Sequence, residues 1–126
     1  MKVIADTNVI IDFWKRPTDE LIHFFEVEDV VICGVIAAEL LHGAVSEKNL
    51  EDISTLIVEF EFLTVDGSDW MNLGKMLYTL RTNGLTVPFQ DAVIAYTAIK
   101  YDVPVRTNDR HFSLIKAVLP GLQLYD

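Results

Sequence analysis

Two stretches of the chain set a carboxylate beside a hydroxyl and an amide. They are Asp6-Thr7-Asn8, directly after the apolar run Val3-Ile4-Ala5, and Thr107-Asn108-Asp109, directly after Val103 to Arg106. Two more acids stand in apolar surroundings, Glu39 before Leu40-Leu41 and Asp91 before Ala92-Val93-Ile94-Ala95. In an open parallel sheet, ligands gather in the crevice outside the carboxyl ends of the strands. If the two strands are neighbours, Asp6 and Asp109 face each other there, and Asp91 and Glu39 can complete a ring of four acids. Buried acids without partners repel, and some take up protons instead. A divalent cation removes that conflict, and an all-oxygen site suits Mg²⁺ or Mn²⁺. Such an ion can activate a water and offset charge on a phosphodiester. The chain has no Cys/His spacing for zinc, no glycine-rich phosphate loop and no Gly-x-Ser-x-Gly elbow.

The elements that must position these residues can be read in order. Val3 to Ala5 is a short continuous apolar run, as in a strand covered on both faces. Ile10, Ile11, Phe13 and Trp14 predict a short helix ending near Lys15-Arg16-Pro17. Thr18 or Asp19 caps a second helix with Leu21, Ile22, Phe24 and Phe25 on its buried side. Asp29 to Cys33 is the second strand, and Gly34 turns it into a helix in which Glu39 shares a face with Val35, His42 and Ser46. A helix over Ser46 to Glu61, a strand over Phe62 to Val65 and a helix capped by Ser68 and stopped at Asn83-Gly84 follow. Pro88 precedes a helix with Asp91 in its first turn. Val103 to Arg106 is the fourth strand, a short helix covers about Phe112 to Val118, and a last strand lies near Leu122 to Leu124. This alternation predicts a three-layer α/β/α sandwich with a mostly parallel central sheet of four to five strands.

The totals narrow the classes. At 126 residues, with 51% hydrophobic residues and a mean hydropathy of +0.29, residues 1–126 read as one domain with a proper core. The richest apolar run, Val30 to Ala38, is too short to span a membrane, and Asp6 interrupts the place where a signal peptide needs its apolar core. The single cysteine, Cys33, has no internal disulfide partner, and a cytoplasmic protein is expected. The net charge of −9 is uneven: residues 1–69 carry 4 Lys/Arg against 15 Asp/Glu, and residues 70–126 carry 6 against 4. A protein that binds nucleic acid through its global charge is normally basic. For a nucleic-acid ligand, metal ions at an acidic site and local basic residues have to make up the difference.

Asp6-Thr7-Asn8, Glu39, Asp91-Ala92-x-Ile94-Ala95 and Thr107-x-Asp109-x-x-Phe112 together resemble the acidic signature of PIN-domain ribonucleases. The short form is similar to the VapC-type toxins of toxin–antitoxin pairs, and the match spans nearly the whole chain. The resemblance implies a Mg²⁺- or Mn²⁺-dependent endonuclease acting on RNA, a homodimer, silenced by a small antitoxin. It implies Asp6, Glu39, Asp91 and Asp109 as the acidic site, with Asp6 and Asp91 contacting the metal and Glu39 and Asp109 acting through water. Thr107 would support the site and Asn8 would orient it. A metal-activated water would attack phosphorus in line, with Glu39 orienting or deprotonating it. Arg106, Arg110, Lys15 and Arg16 are the basic residues nearest these motifs and are expected to hold phosphates. The segment Phe13 to Phe25 could supply the apolar surface that an antitoxin needs.

Each feature also has an ordinary reading. Asp6 and Asp109 are good helix caps, Asp91 complements a helix dipole, and Glu39 is either solvent-facing or turned inward. His42 and His111 read as surface or packing residues, Trp14 and Trp70 as core or dimer-interface residues, and the acidic run Glu47 to Asp69 as a solvated face. The rival from another class is a phospho-accepting receiver-like domain with Asp66 as acceptor. It calls for two acids after the first strand and a lysine late in the sheet, neither of which is present. A haloacid-dehalogenase-type phosphatase needs Asp-x-Asp, and position 8 is Asn. A catalytically inactive PIN-type RNA- or protein-binding module would normally lack one or more of the acids, and none is missing.

Overall fold

A computed structural model describes residues 1–126. Four strands, β1 (Lys2–Ala5), β2 (Asp29–Cys33), β3 (Glu61–Leu63) and β4 (Val105–Arg106), form one sheet in the order β3-β2-β1-β4. Every pairing is parallel, with Val3 opposite Val30, Ile32 opposite Phe62 and Ile4 opposite Val105. Val3 to Ala5 and Val30 to Cys33 are buried at every position. Successive side chains point to opposite faces of a sheet, so helices must cover both faces, which is the expected three-layer α/β/α sandwich. Phe112 and Ile115 pack into the same core as Ile4, Ile10, Ile32 and Ile36.

Seven helices accompany the strands, six between them and one after β4: α1 (Thr7–Lys15), α2 (Asp19–Val27), α3 (Gly34–His42), α4 (Glu47–Ile57), α5 (Ser68–Thr82), α6 (Phe89–Tyr101) and α7 (His111–Val118). Side-chain caps start α1, α2 and α4. The Thr18 hydroxyl accepts from the Leu21 N–H at 3.1 Å, and the Ser46 hydroxyl accepts from the Asn49 N–H at 3.0 Å. Packing of α3 against α1 and α6, and of α6 against α5 and α7, draws the chain's two halves together. The chain visits β1, moves outward through β2 to the β3 edge, then returns to add β4 on the other side of β1. The order therefore reverses between β1 and β4. That is where an open α/β sheet leaves a crevice at its carboxyl end.

Three local expectations need correction. Ser46 to Glu61 is not one helix: α4 stops at Ile57, and the N–H groups of Glu59 and Phe60 turn back to Leu56 and Ile57 carbonyls, which frees Glu61 to start β3. Ser68 does not cap α5. Gly67 does, at φ +48°, a left-handed conformation that favours glycine, and the Asp69 carboxylate accepts the Asp66 N–H at 3.1 Å. The last strand is a single bridge, Leu124 beside Val105, held where Val105 donates to Gln123 and Tyr125 donates to Val105.

Candidate active site

The β1/β4 crevice collects its acids from four elements. Asp6 follows β1 and caps α1, its Oδ1 accepting the Thr7 N–H at 2.8 Å. Its Oδ2 accepts from the Thr107 hydroxyl at 2.7 Å, across the β1/β4 pair. The same Thr107 oxygen accepts the Asp109 N–H at 2.9 Å. One hydroxyl thus ties together the two short polar phrases that end these strands. Asp91, in the first turn of α6, and Asp109, just before α7, meet around the His111 ring. His111 Nδ1 lies 2.9 Å from Asp91 Oδ2 and 3.1 Å from Asp109 Oδ1. The His111 N–H also donates to Asp109 Oδ1 at 2.9 Å. Glu39, in the middle of α3, is half-buried, and its Oε1 accepts from the Thr7 hydroxyl at 2.9 Å.

Charge is crowded here. Asp6 is 6% exposed, and burial pushes its carboxyl above the ordinary carboxylate range. The bonds from Thr107 and Thr7 pull it back in part, while the charge of Asp109 adds to the rise. Burial likewise raises Asp91, His111 opposes the rise, and the charges of Asp109 and Asp6 reinforce it. Asp6, Asp91 and Asp109 therefore feel one another electrostatically, although Asp6 lies 85 and 103 residues before the other two. A divalent cation would relieve both the burial and the repulsion, and the oxygen-rich donor set fits a hard ion. Ligand atoms of Asp91, Asp109 and His111 lie within 4.8 Å of one another, close enough to share one ion.

The other expected residues are placed less tightly. Asn8 is exposed beside Asp6. Arg106 lies over the Phe24 ring at 4.5 Å and donates to Glu20 Oε1 at 2.6 Å. Arg16 pairs with Asp12 at 2.9 Å, while Lys15 and Arg110 are exposed. Arg16, Arg106, Asp12, Thr18 and Asn108 share a polar hollow next to the crevice. Phe13 and Phe25 stack on each other with centroids 3.9 Å apart.

Two residues depart from their expected roles. His111 is not a plain surface residue but stands between two of the acids; the sequence places it beside Asp109, yet gives no sign that the first turns of α6 and α7 meet. Asp69 does not belong to a solvated face. It is buried and receives Lys100 Nζ at 2.6 Å and the Tyr96 hydroxyl at 2.7 Å, which hold its carboxyl down at about 2. Asp66, the acceptor in the receiver reading, lies past the edge strand β3, two strands from Asp6.

A family model described as "PIN domain" matches residues 3–118. Ribonuclease VapC1 of Methanocaldococcus jannaschii is 31% identical over 127 residues, spanning 99% of this chain and 88% of that protein. The fold superposes on that of DNA-bound VapBC from Salmonella typhimurium with a TM-score of 0.85 at 28% identity, covering 100% of this chain and 98% of the other. VapBC-1 from nontypeable Haemophilus influenzae shares the fold, with a TM-score of 0.81 at 23% identity and coverage of 100% and 98%.

Proposed function

This chain belongs to the PIN-domain family, and from that premise we propose that residues 1–126 form one metal-dependent endoribonuclease domain, the toxin of a toxin–antitoxin pair. The observation that carries the reading is the convergence of Asp6, Asp91 and Asp109 at the β1/β4 crevice, with Glu39 joined to them through Thr7. The likeness to a protein named as a ribonuclease, over nearly the whole chain, supplies the substrate class. The solved VapBC complexes support an antitoxin partner, and a homodimer belongs to the same reading.

In this proposal Asp6 and Asp91 contact the ion, which is Mg²⁺ or Mn²⁺, and Asp109 reaches it directly or through water. When bound, the ion supplies Lewis-acid stabilisation of the phosphodiester and makes water a better nucleophile near neutral pH. The chain's own residues do the rest. Thr107 fixes Asp6 and the Asp109 backbone in one geometry, so little reorganisation is needed as substrate arrives. Glu39, oriented by the Thr7 hydroxyl, accepts the proton of the attacking water. Lys15, Arg16 and Arg110 meet phosphates outside the crevice, and Arg106 does so once it leaves Glu20.

The test is cleavage of a total-RNA pool by the purified chain with Mg²⁺, with Mn²⁺ and with EDTA, alongside Asp6→Asn and Asp91→Asn. Cleavage that needs the metal and is lost in both variants supports the reading. Intact RNA under every condition, from folded protein shown free of antitoxin, refutes it. No helix is long and apolar enough to cross a membrane, and a cytoplasmic location is part of the same proposal.

A further inference from the structure

We propose that His111 is a direct ligand of the ion at this site, and that its nitrogen makes the site prefer Mn²⁺ over Mg²⁺. The inference rests on the metal-dependent reading above and adds a residue and a selectivity to it. Three donors from two segments converge: Asp91 Oδ2 from α6, Asp109 Oδ1 from the turn before α7, and His111 Nδ1 from the first residue of α7. Cis ligands about 2.1 Å from an octahedral ion stand roughly 3 Å apart. Nδ1 is 2.9 Å from one carboxylate oxygen and 3.1 Å from the other, so both separations already match an octahedral edge. All three ligand atoms lie within 4.8 Å of one another.

The backbone that carries the ring is held in place: the His111 N–H is bonded to Asp109 Oδ1, and the next residue, Phe112, is fully buried in the core. Nδ1 sits at hydrogen-bond distance from the two acids; as a ligand it would bind through its lone pair, with the ring proton on Nε2. Mg²⁺ demands oxygen ligands and keeps its waters, whereas imidazole is a good donor to later divalent ions and a fair one to Mn²⁺. A nitrogen in the set therefore tilts the site away from Mg²⁺. It leaves intact the carboxylates that either ion needs.

The test is pulsed electron paramagnetic resonance of the full chain loaded with Mn²⁺, which detects ¹⁴N modulation from a coordinated imidazole, together with Mn²⁺ and Mg²⁺ titrations. His42, exposed at the end of α3, gives the control His42→Asn. Expected is ¹⁴N modulation in wild type and His42→Asn that disappears in His111→Asn. Mn²⁺ affinity should fall on the order of tenfold or more in His111→Asn, and Mg²⁺ affinity by much less. Mn²⁺ binding without nitrogen modulation in wild type overturns the His111 assignment while leaving the metal reading standing. Equal loss for both ions overturns the selectivity. Wild type that neither binds Mn²⁺ nor cuts RNA overturns the assignment together with the proposed function.

Discussion

Thr107→Val removes the hydroxyl that joins Asp6 to Asp109 while keeping the side chain's shape. Two hydrogen bonds go: the donation to Asp6 Oδ2 at 2.7 Å and the acceptance of the Asp109 N–H at 2.9 Å. The first is made to a carboxylate that is 6% exposed, and a bond to a buried charged group contributes about 1.5–3 kcal/mol. We expect a loss of that size at pH 7.5 in EDTA, seen as a fall in Tm of roughly 5–12 °C. The loss must also depend on pH. Burial raises the folded Asp6 pKa, and Thr107 opposes that rise; the variant's folded pKa is higher still. Above the unfolded carboxyl pKa of about 3.9, the folded variant keeps a proton that the unfolded chain has released. Stability then declines as pH rises through the raised folded pKa. The gap between variant and wild type is accordingly smaller at pH 4.5 than at pH 7.5. Urea unfolding at both pH values, with Thr107→Ser as the restoring substitution, measures this. Equal penalties at the two pH values, or a loss below about 0.5 kcal/mol at pH 7.5, would refute the role given to the hydroxyl.

Three other outcomes are expected. Phe112→Ala, at a fully buried aromatic that anchors α7, should destabilise by about 3–5 kcal/mol in urea titrations; a loss under 1 kcal/mol would contradict its place in the core. Mn²⁺ at a hundred times its Kd should stabilise wild type by about 2.7 kcal/mol, seen as a higher Tm, and Asp91→Asn should lose most of that gain; an unchanged gain would place the ion elsewhere. Asp69 titrates at about 2 because Lys100 and Tyr96 hydrogen-bond its carboxylate, so what it adds to stability is present above the unfolded pKa and is lost as pH falls through the folded value. Lys100→Met should move its carboxyl ¹³C titration upward, and an unmoved midpoint would show that the ion pair is not what holds it.

The fold was legible where local chemistry and tertiary demand agree. Val3 to Ala5 and Val30 to Cys33 are short apolar runs that suit a doubly covered sheet, and Thr18 caps α2 as its type and place suggest. Asp6 and Thr107 stood out because each follows such a strand. Reading failed where a partner lies far along the chain. Asp69 looks like one more acid of a solvated face until Tyr96 and Lys100, 27 and 31 residues later, fold onto it. His111 looks like a packing residue until Asp91, 20 residues earlier, is brought to its ring. Ser68 is good capping chemistry, but Gly67 reaches a backbone conformation that an L side chain rarely takes. Leu122 to Leu124 reads as a strand, yet only Leu124 is bridged to Val105.

The placement of β4 beside β1 has a consequence for when the molecule becomes itself. Chains emerge from the ribosome amino end first, and a domain folds as a unit once its parts have been made. Asp6 and Glu39 are made early, but β1 gains its second neighbour only when Val105 and Arg106 arrive. Thr107, Asp109 and the ring of His111 come after that. A nascent chain stopped at residue 100 holds three of the four acids and lacks the strand, the bridging hydroxyl and the turn that align them. Of the four acids Asp109 is therefore the last to be made, and its alignment with Asp6 waits on the Thr107 hydroxyl made just before it.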